Sequence, residues 1–233
     1  MMKPIRIMGM DVYPYTDFNN LIEDAVKTKK MLLSVNAEIL SRASDNIKDI
    51  YNSNIGFADG IGAVMALKKK GISNATKLPG CEVWLKIVEK YCNKSKFYLI
   101  GSTDEVINET VKKLKDCFPN INIVGYRNGY ISSEKEEEIL LSDIEKTKPD
   151  FIFVAMGQPK QELLMIKMDK IHHAVYMGIG GSFDVYTGKV KRAPKWWIDH
   201  NLEWAYRLCM QPKRIKRQLI LFKFMALVKL GKL

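Results

Sequence analysis

The sequence is poor in cysteine and has no long apolar run, and both shortages limit what the protein can be. Its 233 residues include four cysteines, which are scattered without a Cys-x-x-Cys pair and favour a reduced, cytoplasmic protein. The start of the chain lacks the apolar stretch of a signal peptide. The apolar run at 219–228 contains Lys223 and is shorter than the roughly 20 residues that a spanning helix needs. We therefore expect a chain that can lie on a membrane but does not cross it.

Several catalytic signatures are missing as well. The sequence contains neither a Walker loop nor a nucleophile elbow. His172, His173 and His200 have no carboxylate or cysteine partners at metal-ligand spacing. There is also no Asp-x-Asp pair of the kind that many sugar-nucleotide enzymes use to hold a divalent ion. We expect neither a metal nor any other cofactor.

Negative charge is scarce at the C-terminal end. Residues 191–233 hold eleven lysines and arginines against two acidic residues, which gives +9 of the chain's formal +11. These cations lie among tryptophans, leucines and phenylalanines, a mixture that attracts either nucleic acid or the head groups of a membrane. We predict an α/β core over 1–193 and a basic, amphipathic helical appendage over 194–233 that associates with membranes.

The appendage helix is predicted from the spacing of its apolar residues. Pro212 is placed to open a helix, and apolar residues follow at spacings of four, three and four. These residues are Ile215, Leu219, Phe222 and Ala226, with Leu230 beyond them. A helix that packs on the core and exposes its lysines to solvent is the alternative.

Short apolar runs alternate with helical patterns along the rest of the chain. Strands are predicted at 31–35, 55–57, 97–100, 121–124, 151–155 and 174–178. Helices are predicted at 18–29, 60–70, 82–91, 103–117 and 133–146. This alternation predicts a Rossmann-like parallel sheet flanked by helices, in which ligands bind outside the carboxyl ends of the strands.

Polar, glycine-bearing turns follow four of the predicted strands. Glycine permits close backbone approach and leaves amides available at a helix start, which suits a phosphate or diphosphate. Asp59 is either a helix cap or a carboxylate that takes part in chemistry. Gly101 opens a turn in which Thr103 is a candidate N-cap. Gln158, Gln161 and Glu162 are either ligand-binding groups or an ordinary solvated first helical turn.

Short motifs follow one another in a set order along the chain: Asn36, then 58–62, 157–162 and 178–184, then Gly188 with 192–194, and finally Leu202-Glu203-Trp204 with the arginines that follow. This order resembles that of the WecG/TagA/CpsF glycosyltransferases. It implies a UDP-sugar-dependent hexosyltransferase that inverts configuration. The sugar would be N-acetylmannosamine or a related hexose, and the acceptor would be linked to undecaprenyl diphosphate. Teichoic acid, capsule or exopolysaccharide synthesis at the inner face of the cell membrane is the implied setting.

The resemblance also implies roles for individual residues. Asp59 matches the general base, and Arg207, Arg214 and Arg217 match tail arginines that meet the lipid diphosphate at the membrane. The substrate-binding positions are Ser34, Asn36, Lys77, Gly101, Gln158, Gln161, Glu162, Asp184 and Arg192. The chain departs from the family pattern at Ser34 (commonly Thr), Lys77 (usually Arg) and Glu82 (usually Asp). Lysine at position 77 lacks the bidentate fork of arginine.

Two other classes of function are compatible with parts of the sequence. A nucleotide-sugar-binding protein without catalysis would keep the glycine turns but would not need Asp59. A nucleic-acid-binding protein would also be basic, but no recognition module is readable, and we expect no nucleic-acid partner. The expected partners are a UDP-sugar, an undecaprenyl-diphosphate-linked acceptor and an anionic membrane surface, and assembly as a homo-oligomer is left open.

Overall fold

The computed structural model describes residues 2–210 and 215–231, without the side chains of Arg207, Lys216, Arg217 and Gln218. The strands are β1 (Ile5–Ile7), β2 (Met10–Val12), β3 (Leu32–Val35), β4 (Ile55–Ala58), β5 (Lys96–Gly101), β6 (Asn122–Arg127), β7 (Phe151–Ala155) and β8 (Val175–Gly178). The helices before β6 are α1 (Phe18–Thr28), α2 (Ala37–Arg42), α3 (Asp45–Ser53), α4 (Ile61–Lys69), α5 (Gly80–Tyr91) and α6 (Asp104–Cys117). Those after it are α7 (Glu134–Thr147), α8 (Lys160–Asp169), α9 (Ser182–Thr187), α10 (Lys195–Asp199), α11 (Glu203–Met210) and α12 (Ile215–Lys229).

Six strands form one parallel sheet in the order β4-β3-β8-β7-β5-β6. The central strand β7 is buried along its whole length, and its Ile152 lies opposite Tyr98 of β5 and Tyr176 of β8. Helices flank the sheet, as the alternating pattern requires. The prediction of a Rossmann-like α/β fold with a helical C-terminal appendage is confirmed.

The chain divides into two compact units. The first comprises residues 2–17, 34–79 and the described residues from 191 onward, and the second comprises 18–33 and 80–190. The core of the second unit contains Trp84, whose ring meets Phe153, Phe183 and Tyr186 edge-on at 5.3–5.6 Å between centroids. Such edge-to-face contacts add to the stabilisation from burial itself.

The first unit begins with an antiparallel hairpin of β1 and β2, in which Ile5 lies opposite Val12. Met8 and Gly9 form its turn at φ 48° and 83°, the left-handed conformation that two-residue hairpin turns require. Methionine is an uncommon residue in that conformation. The hairpin was therefore not predicted from the sequence.

Helix α12 packs against α2 and α4 within the first unit. Its Phe224 and Val228 are buried, whereas Ile215, Leu219 and Leu230 are exposed. Position 62 of α4 must be glycine-sized, because a Cβ there would lie 2.9 Å from the Cβ of Ala37 in α2. The boundary after residue 193 stays a prediction, and Pro212 lies outside the described residues.

Candidate functional site

Two groups of predicted site residues lie at the carboxyl ends of the strands, one in each unit. In the first unit, Asn36 follows β3 and Asp59 follows β4. The Asp59 backbone N–H donates to the carbonyl of Val35 at 3.0 Å, which continues the pairing of the two strands past the end of β4. The two polar residues are thereby held on neighbouring strand ends.

Asn36 caps helix α2. Its side-chain Oδ1 accepts hydrogen bonds from the backbone N–H groups of Glu38 at 2.9 Å and Ile39 at 3.1 Å. These bonds satisfy two of the donors that a helix start leaves without partners. Because the cap fixes the amide group, Asn36 presents its side chain in one orientation.

Glycine at position 60 lets the residue after Asp59 lie close to Asn36. A Cβ built on Gly60 would lie 3.3 Å from the Cβ of Asn36, tighter than ordinary van der Waals contact. Gly60 is itself the N-cap residue of α4, so Asp59 is not the helix cap that one interpretation of the sequence allowed. The half-buried Asp59 precedes the first turn of α4, where the helix dipole favours a negative charge.

Lys77 belongs to the same group. The neighbouring Leu78 N–H donates to the carbonyl of Ala58 at 2.8 Å, which brings this loop alongside the end of β4. Lys77 Nζ lies 3.5 Å from Glu203 Oε2, and the two side chains are only 16% and 15% exposed. An ion pair this sheltered from water is screened less than a surface pair, so it holds Lys77 in place.

The remaining predicted residues of the first unit are half-buried. Ser34 lies in β3, and its carbonyl accepts a hydrogen bond from the hydroxyl of Tyr51 at 3.2 Å. Arg192 directly precedes the buried Ala193. Neither Tyr51 nor Glu203 was among the predicted site residues. Glu203 was part of the Leu202-Glu203-Trp204 motif, which was the available signal, whereas nothing in the sequence marks Tyr51 as a partner of Ser34.

In the second unit, Gln161 joins two glycine turns. Its Oε1 accepts hydrogen bonds from the N–H of Gly157 at 3.2 Å and of Gly180 at 3.0 Å, one turn after β7 and the other after β8. Its Nε2 donates to Glu162 Oε1 at 3.0 Å, and both side chains are buried. A Cβ on Gly178 would lie 2.5 Å from that Nε2, so glycine leaves the room that the amide occupies. The carboxamide of Gln161 thus supports the turns from within the unit.

Gln158 lies in the first of these turns and is half-buried, and its bond to Pro159 is cis. Gly157 and Gly180 have φ angles of 77° and 53°, and a Cβ on either would meet nothing within 4 Å. These glycines are required by backbone conformation and not by crowding.

Gly101 and Asp184 meet through Ser102. A Cβ on Gly101 would lie 2.3 Å from the carbonyl oxygen of Ala155, so no side chain fits at the end of β5. The next residue, Ser102, has φ 55°, and its hydroxyl donates to the carboxylate of Asp184 at 3.2 Å and 3.3 Å. Thr103 then caps α6 by accepting from the N–H of Val106, as predicted. Ser102, between Gly101 and Thr103, was not assigned a role from the sequence.

The predicted tail arginines are placed only in part. Arg214 lies outside the described residues, and Arg207 and Arg217 are described only in their backbone, in α11 and α12. Their roles stay predictions. Within residues 2–210 and 215–231, no helix is long and apolar enough to span a bilayer. The same residues contain no group of three or more His, Cys, Asp or Glu side chains that could hold a metal ion.

A parallel α/β sheet with polar, glycine-bearing turns beyond its strand ends is the architecture of enzymes that bind nucleotide-type ligands. The model of the glycosyl transferase WecG/TagA/CpsF family matches residues 5–233, almost the whole chain. The chain belongs to this family and is a glycosyltransferase, an enzyme that uses a nucleotide-sugar donor and an acceptor.

Proposed function

We propose that the protein is an inverting glycosyltransferase that moves N-acetylmannosamine or a related hexose from a UDP-sugar to an undecaprenyl-diphosphate-linked acceptor. The acceptor product would enter cell-surface polysaccharide synthesis, as of teichoic acid, capsule or exopolysaccharide. The observation that carries the proposal is the family match over residues 5–233, together with Asp59 held beside Asn36 at neighbouring strand ends.

Asp59 is the proposed general base. The acceptor hydroxyl oxygen attacks the anomeric carbon of the donor sugar, the bond from that carbon to the diphosphate oxygen breaks, and UDP leaves with the electron pair. The hydroxyl proton passes to the carboxylate of Asp59. Its half-buried position at the end of β4 supports this role, because a base must be both reachable by the acceptor and fixed in orientation.

The other residues of the first unit are proposed to bind substrate. Asn36 and Ser34 would contact sugar hydroxyls, and the cap hydrogen bonds leave the amide nitrogen of Asn36 as the donor of that side chain. Lys77 supplies a positive charge for the diphosphate, and Glu203 orients it. Arg192 is proposed as a second cation for the same anionic substrate.

In the second unit, Gly101, Gln158, Gln161, Glu162 and Asp184 are proposed to form the donor-binding turns. Gln161 contributes by holding Gly157 and Gly180, since its Oε1 is engaged by both N–H groups. Asp184 offers a half-buried carboxylate that can accept hydrogen bonds from sugar or ribose hydroxyls.

The C-terminal segment is proposed to dock on an anionic membrane from the cytoplasmic side. Helix α12 is apolar on two sides, because Phe224 and Val228 face the first unit while Ile215, Leu219 and Leu230 are exposed. Lys223 and Lys229 are exposed on the same helix, and Trp196 of α10 is 56% exposed. Exposed apolar and cationic residues on one helix suit an anionic bilayer surface, where the lipid-linked acceptor resides. Arg207, Arg214 and Arg217 are proposed to bind its diphosphate.

The test is incubation of the purified chain with a panel of UDP-sugars and a lipid-diphosphate N-acetylglucosamine analogue, with products read by mass spectrometry and the new anomeric linkage by NMR. We expect one donor to give a disaccharide of inverted configuration together with UDP. Binding of a UDP-sugar without transfer to any acceptor would instead support the nucleotide-sugar-binding alternative.

A further inference from the structure

Ser102 occupies an unusual position at the carboxyl end of β5. Four other non-glycine residues with positive φ lie in the described part of the chain, in the β1–β2 turn (Met8) or at the ends of helices (Lys29, Lys148 and Asn201). Ser102 instead follows directly after β5, at the carboxyl ends of the strands, where donor binding is proposed. Left-handed backbone is unfavourable for serine, and such strain concentrates at functional sites.

The left-handed conformation lets Ser102 join three segments. Its N–H donates to the carbonyl of Ala155 at the end of β7 at 3.1 Å, and its carbonyl accepts from the N–H of Gly129, after β6, at 2.9 Å. Its hydroxyl reaches Asp184 of α9, the helix that follows β8. Because β7 lies between β5 and β8 in the sheet, this last hydrogen bond links the segments that follow the two neighbours of β7.

Among the described residues, the Asp184 carboxylate has few other contacts with polar groups. In the part of the chain that the structure describes, the Ser102 hydroxyl is the hydrogen-bond donor found on the Asp184 carboxylate, and that carboxylate forms no ion pair. A carboxylate offers about four acceptor sites, so one hydroxyl orients it and leaves others for a ligand. A glycine at position 102 would relieve the backbone strain but would lack the hydroxyl. The turn alone therefore does not explain the serine, whereas its contact with Asp184 does.

We propose that Ser102 is a positioning residue, which holds the Asp184 carboxylate in the orientation that accepts hydrogen bonds from hydroxyl groups of the sugar-nucleotide donor. The inference rests on the proposed function for the identity of the donor. It assigns Ser102 an effect on donor affinity that acts through Asp184 and not through folding.

The experiment measures the Kd of UDP-N-acetylmannosamine and of UDP by isothermal titration calorimetry, and the Tm by calorimetry. Ser102→Gly should weaken donor binding roughly three- to tenfold, the worth of one hydrogen bond, with a Tm equal to or above that of the wild type. Ser102→Asn should restore most of the affinity, since asparagine tolerates left-handed backbone and its amide can donate to Asp184. Weaker binding of both UDP-N-acetylmannosamine and UDP assigns the hydroxyl groups that Asp184 contacts to the ribose. Weaker binding of UDP-N-acetylmannosamine alone assigns them to the transferred sugar.

Two controls separate this role from a merely structural one. Lys148→Gly makes the same backbone change at φ 48° on the exposed end of α7, and it should leave both Kd values unchanged. In an Asp184→Ala background, Ser102→Gly should change the Kd by less than about twofold, because coupled residues are not additive. Wild-type affinity in Ser102→Gly, or an equal loss in the Asp184→Ala background, overturns the proposal. A wild type that binds the donor without transferring sugar removes the proposed function but leaves these Kd comparisons valid.

Discussion

Replacing the exposed apolar residues of α12 should separate membrane docking from folding. The variant is Ile215→Gln with Leu219→Gln and Leu230→Gln, which keeps every lysine and arginine of the segment. These side chains are 50%, 60% and 69% exposed, so their removal takes little from the packed face of the helix. We expect the variant to stay folded and to lose its affinity for vesicles.

The size of the loss follows from the exposed fractions. Full burial of a leucine or isoleucine side chain contributes about 1.5–3 kcal/mol, and half to two thirds of each side chain is still available for a bilayer. Each residue would then contribute about 0.8–2 kcal/mol and the three together about 3–5 kcal/mol. Since 1.4 kcal/mol is a factor of ten, the partition coefficient should fall roughly 100- to 5,000-fold.

Flotation of the protein with phosphatidylglycerol-containing vesicles measures this partition. A salt titration isolates the apolar contribution, because salt screens the lysine and arginine attraction but not the burial of apolar surface. Phe224→Ala is the matched control on the same helix: its side chain is buried, so it should lower the free energy of unfolding by about 3–5 kcal/mol while the folded fraction still floats. Wild-type flotation of the triple variant would refute membrane docking through this face, and loss of flotation only through unfolding would show that the face is structural.

Three further predictions concern the chemistry and its supports. Asp59→Asn should lower transfer about 100- to 10,000-fold in a product assay while UDP affinity stays near wild type, since only proton acceptance is lost; near wild-type turnover would remove Asp59 from the base role. Gln161→Ala should lower the free energy of unfolding, measured in urea, by about 2–5 kcal/mol, because two backbone N–H groups lose their acceptor. Leu163→Ala, on the exposed side of the same helix, should leave the free energy of unfolding nearly unchanged. Equal effects of the two substitutions would contradict the bridging role of Gln161. Transfer should survive EDTA, since the sequence has no Asp-x-Asp pair, and activity that returns only with added magnesium or manganese would contradict this expectation.

Most strands of the large sheet could be predicted from the sequence because they are buried on both faces, whereas the edge strand β6 is only partly buried. Runs such as 151–155 are apolar throughout, and the structure places β7 on the same five residues. Burial on both faces can be recognised in the sequence because it requires a continuous run of apolar residues. The β1–β2 hairpin has only three residues in each strand and a methionine at positive φ, so neither length nor turn chemistry revealed it.

The orientation of α12 could not be predicted because the helix is apolar on two sides. The spacing that selected Ile215, Leu219 and Phe222 describes a real stripe, but the packed stripe contains Phe224 and Val228. Periodicity identifies stripes and does not say which neighbour covers each one. The stripe of α12 that is buried depends on its packing against α2 and α4, which lie more than 140 residues earlier in the chain.

The residues of the candidate site could be predicted from the sequence more readily than the function of each residue. Gln161 was recognised as a polar residue after β7, but its contacts with Gly157 and Gly180 depend on two strands that are adjacent only in the folded sheet. Asp59 could be either a cap or a base on sequence grounds, and only the backbone of Gly60 shows that the cap lies one residue later. Residue type limits what a side chain can do, and its neighbours decide which of those things it does.

The distribution of tryptophan gives the protein a built-in optical reporter. Trp84 is fully buried among aromatic rings and is the one tryptophan of the second unit, whereas Trp196, Trp197 and Trp204 all belong to the C-terminal segment. Three of the four tryptophans that contribute to the intrinsic fluorescence therefore report on that segment. Trp196 is 56% exposed, so its emission should move to shorter wavelength when the segment meets lipid, while Trp84 supplies a constant blue component. Substituting Trp84 by Phe would leave a label-free spectroscopic signal confined to the C-terminal segment.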